Sequence, residues 1–161
     1  MMEWLLNLLF SFTASFLFAV VFDAPKKLFL PAGIVGAFGW MMGQTAGMLF
    51  DLPLVMVNFI GAFTLGIMSH VMARVYKEPS TIFLIPGIIP FVPGGLAYDA
   101  TSSIILSDYT GAVNIIMEVI ISAGSIAVGI LFAEQFALLF IKKKTRIFHE
   151  KKITEELNYG N

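Results

Sequence analysis

The stretch Ile85-Pro86-Gly87-Ile88-Ile89-Pro90-Phe91-Val92-Pro93-Gly94-Gly95 sets three prolines and three glycines inside an otherwise apolar run, residues 81–98. A straight helix does not survive it. Each interior proline lacks an N–H and clashes with the carbonyl four residues back, so the carbonyls of Ile82, Pro86 and Ile89 lose their usual partners. Irregular backbone at membrane depth is tolerated only where protein covers it or where it lines a water-filled cavity, so the segment is expected to face a bundle interior or a pathway. Helix is predicted to resume past Gly94-Gly95, through Leu96-Ala97-Tyr98. The free N–H groups and positive dipole end there form a site for a carboxylate, and unwound carbonyls on the other side suit a cation. Discontinuous helices of this kind mark midplane binding sites in secondary transporters. The candidate binding residues are therefore Pro86, Gly87, Pro90, Pro93, Gly94, Gly95 and Tyr98, the last for its hydroxyl. The plainer alternative is a kink or loop with no ligand.

Membrane depth is inferred from composition. The chain of 161 residues is 58 % apolar and 13 % charged, against roughly 25 % charged in soluble domains. Disorder, coiled coil and collagen are excluded by the low charge and by 14 glycines and 7 prolines scattered among apolar blocks. The absence of cysteine removes disulfides, thiol nucleophiles and thiolate metal sites. A net charge of -1 gives no basic face for nucleic acid. Neither metal nor cofactor is expected.

Uncharged runs at residues 4–22, 28–50, 52–73 and 81–98, and a fifth apolar run at 109–141 that contains two glutamates, predict an all-α integral membrane protein of about five transmembrane helices, the fourth broken. They fill residues 1–141 and leave a basic, polar tail at 142–161. The cations fall in three clusters: Lys26 and Lys27; Arg74 and Lys77; and Lys142, Lys143, Lys144, Arg146, Lys151 and Lys152. Two crossings separate neighbouring clusters, so the positive-inside bias is met by an outer N-terminus and a cytoplasmic C-terminus. Asp51, Asp99 and Asp108 then lie near the outer turns. The start Met1-Met2-Glu3 lacks a positive n-region and no A-x-A-like site precedes Asp23, so the first run reads as a permanent helix rather than a signal. The tail is read as a topology determinant whose lysines can lie on anionic lipid.

Within the second run, Gly33, Gly36, Gly39, Gly43 and Gly47 allow close helix approach. Gly39, Gly43 and Gly47, at spacing four, share one face and are expected to pack helices within the chain; a partner subunit or a pathway are the alternatives. Pro31 falls in the first turn of that run. Polar groups in apolar runs are functional candidates, because charge at the bilayer centre costs at least about 2.5 kcal/mol. Here they are His70, Glu118, Glu134, Asn58 and Asn114. His70 lies one turn before Arg74, near the interface. A helix over residues 109–141 would run about 50 Å, so Glu118 and Glu134 cannot both be central. Glu118 is taken as the buried one, and Glu118 or His70 as the carrier of coupling protons; Asn58 and Asn114 can bond across helices. An intramembrane enzyme is not expected: paired aspartates, H-E-x-x-H and G-x-S-x-G are absent, and Ser69 and His70 point in different directions on a helix.

The stretch IPGIIPFVPGGLAYDA resembles the C-terminal membrane half of the threonine/serine exporter family, which also occurs as a separate small subunit of bacterial exporters. FDAPKKLFLPAGIVGAFGW and GIMSHVMARVYKEPSTIFLIPG are similar to the same family, so the likeness covers residues 18–132. The resemblance implies a five-helix unit that pairs with a second membrane subunit, in the bacterial cytoplasmic membrane, to form a ten-helix exporter of small amino or carboxylic acids. Fused members are linked to serine and threonine, and split ones to dicarboxylates such as succinate; the substrates share a carboxylate. The competing expectation is a non-transporting assembly or scaffold protein, and self-association into a homo-oligomer is a further option.

Overall fold

A computed structural model describes the backbone of residues 2–159 and the side chains of residues 2–139. Readings that rest on the side chains of the basic tail lie outside the described residues. Six helices follow one another: α1 (Met2–Val21), α2 (Phe29–Phe50), α3 (Leu54–Tyr76), α4 (Thr81–Ile88), α5 (Gly94–Ile105) and α6 (Tyr109–Tyr159), with short 3₁₀ turns at Lys26–Leu28 and Ile89–Phe91. No strand occurs among the described residues.

Three helical stretches are long and apolar enough to cross a membrane alone: α1, α3 and Tyr109–Leu139 of α6. Thr81–Phe91 and Gly94–Ile105, bent by 45° at their break, make a fourth span if taken together. The 22 residues of α2 have the length for a crossing, but five glycines with Gln44 and Thr45 dilute their apolar character. Its position explains that composition. α2 packs against α1, α3 and α4 on the side of its buried glycines, while Leu30, Ile34, Phe38 and Met42 form an exposed apolar stripe at spacing four.

Four helix ends are closed by a non-glycine residue in the left-handed region: Asp23 (φ 56°), Asp51 (49°), Lys77 (57°) and Ser107 (62°). In each case the next N–H reaches five residues back. Ala24 donates to Ala19, Leu52 to Gly47, Glu78 to Ala73 and Asp108 to Ser103, at 3.0, 3.1, 3.0 and 2.9 Å. These are Schellman-type ends, which satisfy carbonyls that a helix terminus otherwise leaves open.

The glycines of α2 set the distance between helices. A Cβ on Gly39 would stand 2.8 Å from Leu65 Cβ, and one on Gly43 only 2.7 Å from the Val57 carbonyl oxygen. The same holds for Gly47 and Val57 Cγ2, at 2.6 Å. As α2 ascends from Gly39 to Gly47 its contacts descend α3 from Leu65 to Val57, so the two helices are antiparallel. α4 runs with α2 and against α3: Gly87 rests on Gly36, and a Cβ on Gly87 would meet the Leu65 side chain at 2.5 Å, while Phe83 lies beside Tyr76, ring centres 6.0 Å apart. α3 and α6 are parallel. Asn58 pairs with Ser122, Ala62 with Gly129 and Gly66 with Ala133, both numbers rising together, while the longer Phe59 and Phe63 side chains reach Phe132 and Phe136. The buried core sits where these helices converge, around Leu28, Ala32, Val35, Leu65, Phe83 and Phe91. Lys27 Nζ lies 3.0 Å from Glu78 Oε1, which places the α1–α2 and α3–α4 connections, with their lysines and Arg74, at one end of the bundle.

Candidate functional site

The broken segment is built by its prolines. Pro86 is inside α4 and buried. Pro90 occupies the first turn of the 3₁₀ segment, and Pro93 caps α5 at φ −75°, ψ 54°. Val92, between them, is extended (φ −61°, ψ 124°), as a residue before proline must be. The carbonyls stripped of their helical partners find others one residue nearer. Ile89 N–H donates to Pro86 and Val92 N–H to Ile89 at 3.2 Å, while Gly94 N–H closes a tighter, two-residue turn onto Val92 at 2.7 Å. Tightening to three-residue bonds thus repairs two of the three losses read from the sequence. Helix resumes at Gly94, not after Gly95. The N–H groups of Gly95 and Leu96 belong to this first turn and have no helical acceptor behind them.

The break lies level with the centre of the bundle. The Phe91 ring packs edge-on against Trp40, centres 5.4 Å apart at 71°, and Trp40 is the twelfth of the 22 residues of α2. Phe91 also covers Gly61, where a Cβ would stand 2.5 Å from its ring.

The predicted binding residues separate into two groups. Pro86 and Gly87 are buried packing elements, with Gly87 filling the approach between α2 and α3. Pro90 and Pro93 are half-buried hinges. Gly94, Gly95 and Tyr98 face outward: nothing lies within 4 Å of a Cβ at either glycine, and Tyr98 is 73 % exposed. α5 packs on α6. Two hollows adjoin the break. One, of about 340 Å³, opens beside Asp23, Pro25 and Thr81 and reaches Pro86. The other, of about 500 Å³, is an apolar groove between Val92, Pro93 and Ile88 and the α6 residues Ala123, Ala127 and Ile130.

The ionisable residues are sorted by the parallel register of α3 and α6. Ser122 accepts a 2.6 Å hydrogen bond from buried Asn58 Nδ2, so Asn58 does bond across helices. Glu118, four residues before Ser122, is level with Leu54, the first residue of α3. Ala133 lies against Gly66, so Glu134 is level with Ile67, the fourteenth of the 23 residues of α3. By this register Glu118 is level with the start of α3 and Glu134 with its middle. Both are exposed on the chain, as is Asn114. His70, half-buried, lies within electrostatic reach of Glu134 and Arg74. Sequence reasoning passed over Ser15, which is fully buried with an unpartnered hydroxyl turned onto Gly36. Its signal was the spacing of four along Ser11, Ser15 and Ala19, the buried line of α1. Among the described residues, no group of three or more His, Asp or Glu could hold a metal.

These features define a multi-pass helical membrane protein with a discontinuous segment at its centre. Its sequence places it more narrowly. The chain belongs to the threonine/serine exporter family, whose profile matches residues 7–136, and it is thereby a membrane protein of an exporter family. A protein of Haemophilus influenzae described as uncharacterized is 26 % identical over 152 residues, which cover 89 % of this chain and 50 % of that protein. The chain thus spans about half the length of this curated relative. No solved structure matches it.

Proposed function

We propose that the chain is the small membrane subunit of a secondary exporter, in the bacterial cytoplasmic membrane, for threonine, serine or a small carboxylate, and that it works with a second membrane subunit. The observation that carries this reading is the placement of the break. At the level of Trp40, the first turn of α5 presents the Gly94, Gly95 and Leu96 backbone to a space its own chain leaves unfilled. Amide donors at a helix N-terminus suit the carboxylate that all these solutes share. The partner is supported by two facts: the relative is twice as long as the region matched, and the face bearing Gly94, Gly95 and Tyr98 is open. In this scheme the bundle makes five crossings, with α2 and the bent pair α4–α5 both counted, the N-terminus outside and the C-terminus inside. Pro90 and Pro93 hold the break rigid, Tyr98 supplies a hydroxyl, and the two hollows on either side of the break are routes of access as this unit rocks against its partner.

The test is efflux from exporter-deficient cells expressing the chain with and without a larger membrane subunit encoded beside it. Efflux is expected only with both, and is expected to fall sharply in Gly94→Leu and Pro90→Leu variants that still reach the membrane. Unchanged efflux in both variants overturns the binding assignment. Topology is checked independently. The chain has no cysteine, so single cysteines at Lys27 and Asp51 are expected to react with an impermeant maleimide from opposite sides, Asp51 from outside. The competing scaffold reading requires a glycine face free for a client, whereas Gly39 and Gly43 are occupied by α3.

A further inference from the structure

Resting on the two-subunit reading of the exporter, we infer that one outer stripe of α6 is the surface on which a membrane-spanning helix of the second subunit docks. Between Asn114 and Gln135 the residues Met117, Ile121, Gly124, Val128 and Leu131 recur at alternating steps of three and four, and every position from 114 to 135 on that line is exposed. A period of 3.5 residues holds one line of side chains against a neighbouring helix along a left-handed pair. The stripe lies within Tyr109–Leu139, which is long and apolar enough to cross a membrane. The buried line of α6, Ser122, Ile126, Gly129 and Ala133, serves α3 and points about 140° away around the helix axis. The stripe is therefore left over once this chain has packed itself.

Its composition suits neither lipid nor water. The amides of Asn114 and Gln135 have no hydrogen-bond partner among the described residues; in lipid they call for the polar groups of an adjacent helix. In water, Met117 and Leu131, 51 % and 56 % exposed, leave apolar area uncovered. An apolar helix with polar groups level with the two amides satisfies both demands. Gly124, midway between them, is the independent sign. A glycine inside a helix costs about 1 kcal/mol relative to alanine. Gly129 is required by α3, because a Cβ there would stand 2.7 Å from the Phe59 carbonyl oxygen, whereas nothing lies within 4 Å of a Cβ at Gly124. Its lack of a side chain serves the close approach of a helix from outside the chain. The exposed stripe of α2, Leu30, Ile34, Phe38 and Met42, steps by four and carries no polar group, as a lipid-facing surface does. The occupant follows from length and charge. The chain spans about half of the Haemophilus influenzae relative, whose other half is long enough for a second bundle of this size. Two copies of this chain joined along the stripe in one orientation would set their Glu118 carboxylates at equal height beside the contact, with no cation in residues 109–139 to offset them; a different subunit can place a donor there. Leu131 also lines the apolar groove beside the break, so the docked helix borders that groove.

The experiment places the photoreactive residue p-benzoylphenylalanine at Met117, Val128 or Leu131, and at Ile34 or Phe38 for comparison, in cells making the full chain with the larger membrane subunit encoded beside it. Adducts are identified after irradiation by mass and by a tag on each chain. The larger subunit is expected to be captured from the α6 positions and not from the α2 positions. Gly124→Leu is expected to leave the chain purified alone no less stable, since a side chain there meets nothing of its own, yet to lower co-purification of the larger subunit about tenfold, as overpacking at a contact does. Asn114→Leu and Gln135→Leu are each expected to lower it about threefold. Capture from α2 and not from α6, capture of a second copy of this chain from the α6 positions, no adduct from α6, or undiminished co-purification of Gly124→Leu overturns the inference. None of these readouts measures transport. Capture from α6 in cells that show no efflux upholds the interface and counts against the exporter reading alone, while efflux that needs both chains without capture from α6 sinks the interface and leaves that reading standing.

Discussion

Gly43 offers the sharpest test of how this bundle is held together. A Cβ there would stand 2.7 Å from the Val57 carbonyl oxygen and 3.1 Å from Gly61 Cα. Both obstacles are backbone, so neither can rotate aside. Restoring ordinary contact requires α2 and α3 to separate by about half an ångström, a gap that forfeits about a quarter of the dispersion energy of each contact along the seam. Overpacking of this kind costs about 1–3 kcal/mol. Opposing it, Gly→Ala in a helix gains about 1 kcal/mol from backbone entropy. Gly124 supplies the control, since it lies on an exposed face of α6 with nothing within 4 Å of a Cβ. Gly124→Ala receives the entropic gain without the crowding. The difference between the two variants therefore isolates crowding, and Gly43→Ala is expected to be less stable than Gly124→Ala by about 1–3 kcal/mol. Reversible unfolding of the purified protein in detergent, followed by circular dichroism, measures it. Equal stabilities within about 0.5 kcal/mol, inside the usual scatter of a surface substitution, would refute the claim that glycine contacts set the α2–α3 distance.

Three further outcomes follow from the same structure. Ser15→Ala removes a buried hydroxyl that has no partner and is expected to raise stability by about 1 kcal/mol; a loss in the same unfolding assay would show that the hydroxyl is bonded. Asp51→Gly relieves a left-handed residue (φ 49°) and is expected to stabilise by about 1 kcal/mol, whereas Asp51→Val is expected to destabilise. For the Asn58–Ser122 bond of 2.6 Å, a double-mutant cycle with alanines is expected to give a coupling of about 0.6 kcal/mol, typical of hydrogen bonds between membrane helices; zero coupling would separate the two side chains.

The features legible in the sequence were those with local causes. Prolines at 86, 90 and 93 dictate a break wherever they stand, and glycines spaced by four dictate close approach. Depth was not legible. Glu118 and Glu134 lie in one apolar run, and nothing within that run says where it enters the membrane. What relates the two to the other helices is the register of α6 on α3, set by Gly66 against Ala133 and by Asn58 against Ser122, contacts between residues more than sixty apart. The division of the binding candidates has the same origin. Pro86 and Gly87 share a motif with Gly94 and Gly95, but the 45° bend turns one pair inward and the other outward. Ser15 was missed because serine in an apolar helix ordinarily bonds its own backbone, as Ser11 does with Asn7 at 2.7 Å.

The turn at Val92 and Pro93 carries one more consequence. Pro90 and Pro93 have φ fixed by their rings, and Val92 is confined by the proline that follows it. The aim of α5 is consequently encoded in a few stiff torsions instead of in a blanket of side chains. A flexible segment would lose about 1–2 kcal/mol of entropy for every residue it froze around an arriving solute. Here that ordering is completed when the chain folds, and the amides of the first turn stand preorganised.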